Sequence, residues 1–457
     1  MSPPADVEMR DLVIRNALTP DGGVRDVHVR GNRIFQVGPG LPPVPGAEVI
    51  DASGMLLWPG LVNTHHHLVQ SILKGVPAAM QSDLNAWLPL VPFAAWPHVT
   101  PETIYVAARI GFAELLRAGC TTCADHHYLY DESALSMERE AALLQAAREV
   151  GIRFVLCRGG ATAAGTHKGM ARASGFTEPL EMLLDRLEAT RRDWHDPGPD
   201  SMARLVVAPT SIVHTSDPQA LEVLAAHARG HGLRMHSHLL EVQHDEDMAQ
   251  AVRGMSAVEY AESVGWLGDD VWYAHLVYSD AEAVARLGRT RTGIAHCPVS
   301  NCRLGSGIAP VPAMDAAGMQ VSIGVDGSAS AESGSMVNEL MQAWLVHRAT
   351  GGADATRAER VLHWATAGGA DLLGLNVGRI VEGACADLCL YRLDEPRFMG
   401  VWTPSLAPVL CGEPVVAERV MVNGHWVVEG GRALGIDTPA LAQRARAELQ
   451  RLMQRMG

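Results

Sequence analysis

Between residues 59 and 375 the chain repeats one pattern: a short apolar run that ends in polar residues, then a longer segment whose apolar positions recur at helical spacing. Eight runs carry it: GLVNTHHH to His67, CTTCADHH to His127, RFVLCRGG to Gly160, RLVVAPTS to Ser211, LRMHSHLLE to Glu241, DVWYAHLV to Val277, TGIAHCPVS to Ser300 and QVSIGVDGS to Ser328. Continuous apolar strands alternating with helices build a parallel sheet covered on its outside, and eight such units suit a closed ring better than an open sheet. The expected class is therefore α/β, a (β/α)8 TIM-type barrel. No Gly-x-Gly-x-x-Gly or P-loop follows any run, which argues against a dinucleotide-binding sheet.

The ends of the chain read differently. DLVIRNAL, DVHVRGNRIFQVG and AEVIDASGMLLW alternate apolar and polar residues between turn signals, and the pattern returns in ADLCLYRL and RVMVNGHWVVEGG. Gly31-Asn32 and Asn423-Gly424 mark hairpins in the two halves. Residues 1–58 and 376–457 are expected to form one composite β-sandwich domain, and 59–375 the barrel. The final segment TPALAQRARAELQRLMQRM has the apolar spacing of a packed helix, with that sandwich as its expected partner.

Composition narrows the class. The 457 residues are 47% hydrophobic and 19% charged, with a formal net charge of −14 that leaves no basic footprint for nucleic acid or an anionic membrane. The start MSPPADVEMRDLV has no apolar core of a signal peptide, and no apolar stretch is long enough to span a bilayer, so a cytoplasmic protein is expected. Eight scattered cysteines lack the spacing of a disulfide framework. Cys120 and Cys123 form a Cys-x-x-Cys, but it leads into a buried strand without a second Cys/His pair nearby.

The candidate chemistry lies in the polar tails of the runs. In a parallel barrel those C-terminal ends converge on one face, so residues far apart in sequence meet there. His65 and His67 end the first strand, and alternate residues of a strand point the same way. The fifth strand adds His236 and His238 with Glu241 just beyond, the sixth His275, and the eighth Asp326. Imidazoles and carboxylates without thiolate are the ligand mixture of a catalytic Zn²⁺ or Fe²⁺ site. A lone barrel histidine is more often a core residue; His66 and His236 should face away from the ligand pair, and His126, His127 and His296 read as structural or supporting.

The pattern His65-x-His67, His238-x-x-Glu241, His275 and Asp326, with the phrases VNTHHHLVQSILKG, GCTTCADHHY, MHSHLLE, WYAHLV and SIGVDGSAS, resembles the amidohydrolase superfamily, in its cytosine deaminase and chlorohydrolase-like branch. Within that branch the likeness runs to isoxanthopterin deaminases, with 8-oxoguanine deaminases and s-triazine hydrolases as near relations. The resemblance implies that His65, His67, His238 and Asp326 bind one divalent ion, Zn²⁺ first and Fe²⁺ as the alternative, which activates a water. It further implies that Asp326 takes the water's proton, that Glu241 carries a proton to a ring nitrogen, and that His275 stabilises the hydroxide or the developing oxyanion, with a fifth-ligand role as its alternative. Two-metal relatives use a carboxylated lysine at the fourth strand; here Lys74 and Lys168 are the only lysines, neither lies there, and Thr210 and Ser211 stand in that place. Relatives acting on thioadenosine carry a histidine where Thr210 falls, which disfavours adenosine-type substrates.

The implied activity is deamination of an amino-substituted pterin or oxidised purine, isoxanthopterin foremost, with an 8-oxoguanine deaminase or a triazine-type hydrolase expelling another group as alternatives. Gln70, Trp87 and Arg158 are the candidate substrate contacts. Each has a plainer reading: helix capping for Gln70, packing under a loop for Trp87, and a salt bridge at the barrel mouth for Arg158. A non-catalytic scaffold would be expected to have lost ligands, and none is missing. A small heterocycle is the expected partner, along with further copies of the chain in a homo-oligomer.

Overall fold

The computed structural model describes residues 11–163 and 175–456; Lys168 and residues 1–10 of the expected terminal domain lie outside them. Five strands open the chain: β1 (Asp11–Leu18), β2 (Val24–Arg30), β3 (Arg33–Gly38), β4 (Glu48–Asp51) and β5 (Met55–Pro59). Eight follow between the helices: β6 (Leu61–Asn63), β7 (Cys120–His127), β8 (Arg153–Arg158), β9 (Ala203–Val207), β10 (Arg234–Leu239), β11 (Val271–His275), β12 (Gly293–His296) and β13 (Gln320–Ile323). These eight pair in parallel and close on themselves, with β13 joined to β6 and β9 to β10. The molecule is a (β/α)8 barrel carrying a small β-sandwich.

Inward-facing Val62, Ala124, Val155, Val206 and Ala295 fill the barrel around Trp272, whose bulk small neighbours such as Ala124 and Ala295 accommodate. The outward faces pack against the helices in one continuous core. Each of the eight runs yields a strand, but several strands stop before the run does. β6 ends at Asn63 and β13 at Ile323, so His65, His67 and Asp326 sit on extended tails beyond the ladder. Past the strand ends the first and eighth tails keep two backbone bonds, from the Thr64 amide to the Ile323 carbonyl and from the Asp326 amide to the His65 carbonyl, both at 3.1 Å. Side chains add to them: Asn63 Oδ1 accepts from the Val325 amide at 3.1 Å, and Thr64 Oγ1 lies 2.7 Å from Ser322 Oγ.

The remaining strands, β14 (Leu388–Arg392), β15 (Arg419–Val422), β16 (His425–Glu429) and β17 (Arg432–Ala433), join β1–β5 in one mixed sheet. It runs β17-β16-β15-β14-β5-β1-β2-β3, with β4 on β1, and closes over Ile14, Val27, Val29, Leu57, Leu388 and Leu390. The two hairpin turns expected from Gly31-Asn32 and Asn423-Gly424 meet. Asn423 and Gly424 take φ of 50° and 80°, the left-handed pair that a type I′ turn requires. Asn32 donates to Asn423 Oδ1 at 3.1 Å, and a Cβ on Gly424 would lie 2.1 Å from the Gly31 carbonyl. The helix Thr438–Met456 departs from expectation: it packs on the barrel helix Pro101–Arg117, not on the sandwich. Leu452 enters the cluster of Ile72, Trp87 and Val91, and buried Glu448 accepts from Thr103 Oγ1. No described helix is long and apolar enough to cross a membrane.

Sandwich and barrel are joined by a buried ion pair. Arg153 on β8 donates from Nη2 and Nε to the two oxygens of Asp387 at 2.9 and 3.1 Å, both side chains being fully buried. Asp387 also accepts the Asn423 amide at 2.8 Å. Removing one partner of a buried pair leaves the other charge uncompensated. Asp387→Ala is therefore expected to cost about 3–5 kcal/mol in denaturant unfolding, whereas Asp394→Ala, at the exposed Arg392–Asp394 pair, should leave the midpoint essentially where it was. Equal midpoints for the two variants would show that the joint does not depend on Arg153.

Candidate active site

Three imidazoles and one carboxylate converge at the mouth of the barrel. His65 Nε2 and His67 Nε2 each lie 3.3 Å from Asp326 Oδ1, and His67 Nε2 is 3.1 Å from His238 Nε2. The backbone that delivers these groups is strained: Leu240, His275, Leu276 and Asp326 all have positive φ between 50° and 77°. The Asp326 amide, bonded to the His65 carbonyl at 3.1 Å, holds the first and eighth tails together.

Each imidazole has its tautomer set from behind. The carbonyl of His126 can only accept, so His67 carries its proton on Nδ1, at 2.9 Å from that oxygen. The Thr210 carbonyl does the same for His238 Nδ1 at 2.6 Å. For His65 the chain is longer: His236 Nδ1 donates to the Trp272 carbonyl at 3.0 Å, so its Nε2 accepts from His65 Nδ1 at 2.8 Å. His236 thus backs His65, contrary to the expectation that it faces away, and stacks on Trp272 with ring centroids 4.6 Å apart. The three Nε2 lone pairs are left facing one point. His65 Nε2 is buried and has no hydrogen-bond partner among the described residues, and burial pushes all three imidazoles toward the neutral form, His238 down to about 3. Neutral, convergent nitrogens beside a carboxylate fit one divalent cation.

Asp326 is held on its other oxygen by the hydroxyls of Ser300 and Ser330. Burial pushes its carboxyl up, but the contact with His65 and the facing imidazoles outweigh this and keep it well below the usual carboxylate range. Glu241 behaves oppositely: burial, with Asp326 and Asp245 nearby, pushes it up to about 7 against the pull of His275. His275 Nε2 lies 3.4 Å from Glu241 Oε2, and its Nδ1 bonds Asn301 Oδ1 at 3.0 Å. Burial pulls His275 down, yet the charges of Glu241 and Asp326 leave it above its ordinary value. A carboxyl raised to about 7 thus faces an imidazole that neighbouring carboxylates raise in turn.

Above these groups opens a cavity with an aromatic wall of Trp87, Phe93, Trp96 and Phe176 and a polar side that includes Gln70, Tyr128, Thr210 and His214. Gln70 donates to Tyr128 Oη at 3.0 Å while its Oε1 is buried without a partner. A Cβ at position 327 would lie 1.8 Å from that oxygen, so Gly327 allows the close approach. Gln70 and Trp87 line the cavity as the sequence suggested; Arg158 does not. Its guanidinium is fully buried, paired with Glu178 and stacked 3.8 Å over Tyr130, the salt-bridge role that was its plainer reading.

Elsewhere the other histidines take structural places. His66 accepts the His67 amide, His296 bonds His347, and His127 packs on Tyr130. His126 lies closer than expected, stacked 4.8 Å from His238 with Nε2 on the Ala208 carbonyl. Cys120 and Cys123 are buried free thiols. Lys74 pairs with Glu114, away from the fourth strand. Sequence reasoning did not pick out Tyr128, Phe93, Trp96, Phe176, His214, Asp245, Ser300, Ser330 or Asn301. Tyr128 directly follows a strand-end histidine pair, which was its one readable signal.

The backing of His65 makes a measurable demand. His236→Phe keeps an aromatic ring against Trp272 but removes the acceptor for His65 Nδ1, and is expected to weaken metal affinity by about 10–100-fold in a chelator competition. Unchanged affinity would show that His65 is oriented without it.

Residues 56–427 match the model of the amidohydrolase family. An isoxanthopterin deaminase from an unknown prokaryotic organism is 40% identical over 444 residues, covering 94% of this chain and 92% of that one. The 8-oxoguanine deaminase of Pseudomonas aeruginosa is 38% identical over 443 residues, covering 96% of each. Among solved structures, the atrazine chlorohydrolase of Arthrobacter aurescens TC1 complexed with zinc superposes with a TM-score of 0.88 at 29% identity, over 96% of this chain and 100% of that one. The matched span runs from β5 through the whole barrel to β16 and takes in every convergent group at its mouth: the chain belongs to the amidohydrolase family.

Proposed function

We propose that the chain is a mononuclear metal-dependent aminohydrolase that replaces the amino group of a flat, oxygenated heterocycle by oxygen, releasing ammonia, with isoxanthopterin as the foremost substrate and 8-oxoguanine next. The observation that carries this reading is the placement of Glu241, raised to about 7, at 3.4 Å from His275 beside the four convergent groups, beneath an aromatic-walled cavity. Likeness to deaminases of a pterin and of an oxidised purine supports the substrate class.

In this reading His65, His67, His238 and Asp326 hold one ion, Zn²⁺ or Fe²⁺, since both accept this nitrogen and oxygen set. When bound, the ion supplies an activated water as nucleophile. Asp326, its far oxygen fixed by Ser300 and Ser330, takes the proton from the attacking water at Oδ1. Glu241 delivers a proton to the ring nitrogen next to the attacked carbon, a task suited to a carboxyl that titrates near pH 7. His275 keeps Nδ1–H on Asn301 and donates from Nε2 to the oxygen that gains charge. The ring lies against Trp87 and Phe93, with Gln70 at its polar edge. The proton taken up by Asp326 passes to the amino group, which leaves as ammonia while the new C–O bond becomes the ring carbonyl.

Ammonia release by zinc-loaded protein should be measured with isoxanthopterin, pterin, 8-oxoguanine, guanine, cytosine and an aminotriazine. Preference for isoxanthopterin is the expected outcome. Silence across the series in a metal-replete sample would contradict it and point to chloride or alkylamine as leaving group, as in the triazine hydrolases. Glu241→Gln should keep its metal and lose about 10²–10⁴-fold in kcat; retention of most turnover would remove Glu241 from proton transfer.

A further inference from the structure

His214 and Asp245 stand on the cavity wall and have no part in the chemistry described so far. His214 follows β9; Asp245 lies in the first turn of the helix Gln243–Arg253, directly after the Glu241 segment. The His214 side chain is 2% exposed, with its ring stacked on His244 at 5.6 Å and an interplanar angle of 13°. Its Nε2 donates to Asp245 Oδ1 at 2.9 Å. Its Nδ1 is buried without a hydrogen-bond partner among the described residues, on a residue that lines the cavity. Leaving such an atom unpaired costs about 1–3 kcal/mol, so the site is built for something that pairs with it.

The second oxygen of Asp245 is also engaged: it accepts the backbone amide of Glu241 at 2.9 Å. One carboxylate therefore anchors both the imidazole on the fourth-strand loop and the backbone of the proton carrier on the fifth. Glu241 needs that anchor, because it follows Leu240 in a left-handed conformation, φ 54°, and among the described residues its side chain makes no hydrogen bond, only a 3.4 Å contact with His275. The tautomer whose Nε2–H is committed to Asp245 has its lone pair at Nδ1, which selects a donor on the ligand.

We propose that His214, oriented by Asp245, is a specificity-determining residue of the cavity: Nδ1 accepts a ring N–H of the substrate, and Asp245 ties this contact to the position of Glu241. The proposal rests on the aminohydrolase reading and adds to it the kind of ring edge that is read, a lactam or imide N–H. A heterocycle with an unsubstituted ring nitrogen there is favoured, and one alkylated at that nitrogen is refused. Asp245 is a positioning residue, since it acts through His214 and the Glu241 backbone.

The test uses metal-replete protein, His214→Phe and Asp245→Asn, with isoxanthopterin, 8-oxoguanine and their singly N-methylated forms. His214→Phe keeps a ring against His244 and removes the acceptor. It is expected to raise KM by at least about tenfold, the equivalent of 1.4 kcal/mol, on the parent that the wild type prefers, with kcat within a few fold. Against the N-methyl isomer that wild type refuses, that variant should no longer discriminate. Asp245→Asn should lower kcat as well as raise KM. An unchanged KM in His214→Phe, or an equal loss on parent and refused isomer, overturns the specificity role. If wild type releases ammonia from no substrate, the aminohydrolase reading fails, and the shared anchor is read without turnover by hydrogen–deuterium exchange. Faster exchange in the peptide containing Glu241 in both variants supports the anchor; exchange unchanged in His214→Phe overturns it.

Discussion

Imidazole nitrogens whose lone pairs face one another across about 3 Å repel unless a cation lies between them. Most of what surrounds the barrel mouth exists to enforce that unfavourable arrangement. The carbonyls of His126, Thr210 and Trp272 take the Nδ1 protons, the last through His236, and so remove the simplest escape, a change of tautomer. Burial removes the other escape, protonation. The folded protein alone therefore carries a site that a divalent ion would relieve, and affinity for that ion becomes part of the stability of the mouth.

The scaffold meets this demand because parallel strands deliver their ends to one face: His238 is still within its strand, whereas His65, His67 and Asp326 lie past the ends of theirs. Asn63, Thr64 and Ser322 reinforce the few backbone bonds where the first and eighth strands adjoin. The left-handed residues at Leu240, His275 and Asp326 turn the tails inward at a local cost that the buried core below them offsets. Asymmetry around the centre then separates the two carboxyls. Asp326 sits among imidazoles and hydroxyls and stays ionised, while Glu241 sits against Asp245 and an apolar wall and holds its proton to about pH 7.

Repetition of apolar runs made the barrel legible, since continuous strands separated by helices admit few arrangements. The ligand histidines were legible for a related reason: they end those runs, where a parallel barrel places its chemistry. His236 was misread because strand alternation says which side a residue faces but not that a ring can reach around to its neighbour's far nitrogen. Arg158 was misread because the end of a buried strand is also where a guanidinium can find a carboxylate, here Glu178 on a segment 20 residues away. Trp87 and Gln70 were reachable from their loop and motif positions. Phe93, Trp96, Phe176 and the His214–Asp245 pair were not, because cavity walls come from loops whose course no periodicity encodes. The last helix shows the same limit: its stripe says that it packs, not on what.

The central claim is that one divalent ion is held by nitrogen and oxygen alone. X-ray absorption at the metal edge of metal-replete protein, with metal content measured on the same sample, tests it directly. The account predicts one ion per chain and a shell of nitrogen and oxygen near about 2.0–2.2 Å, with the outer scattering of imidazoles. A sulfur shell near about 2.3 Å, or a second metal about 3.5–4 Å away, would contradict it.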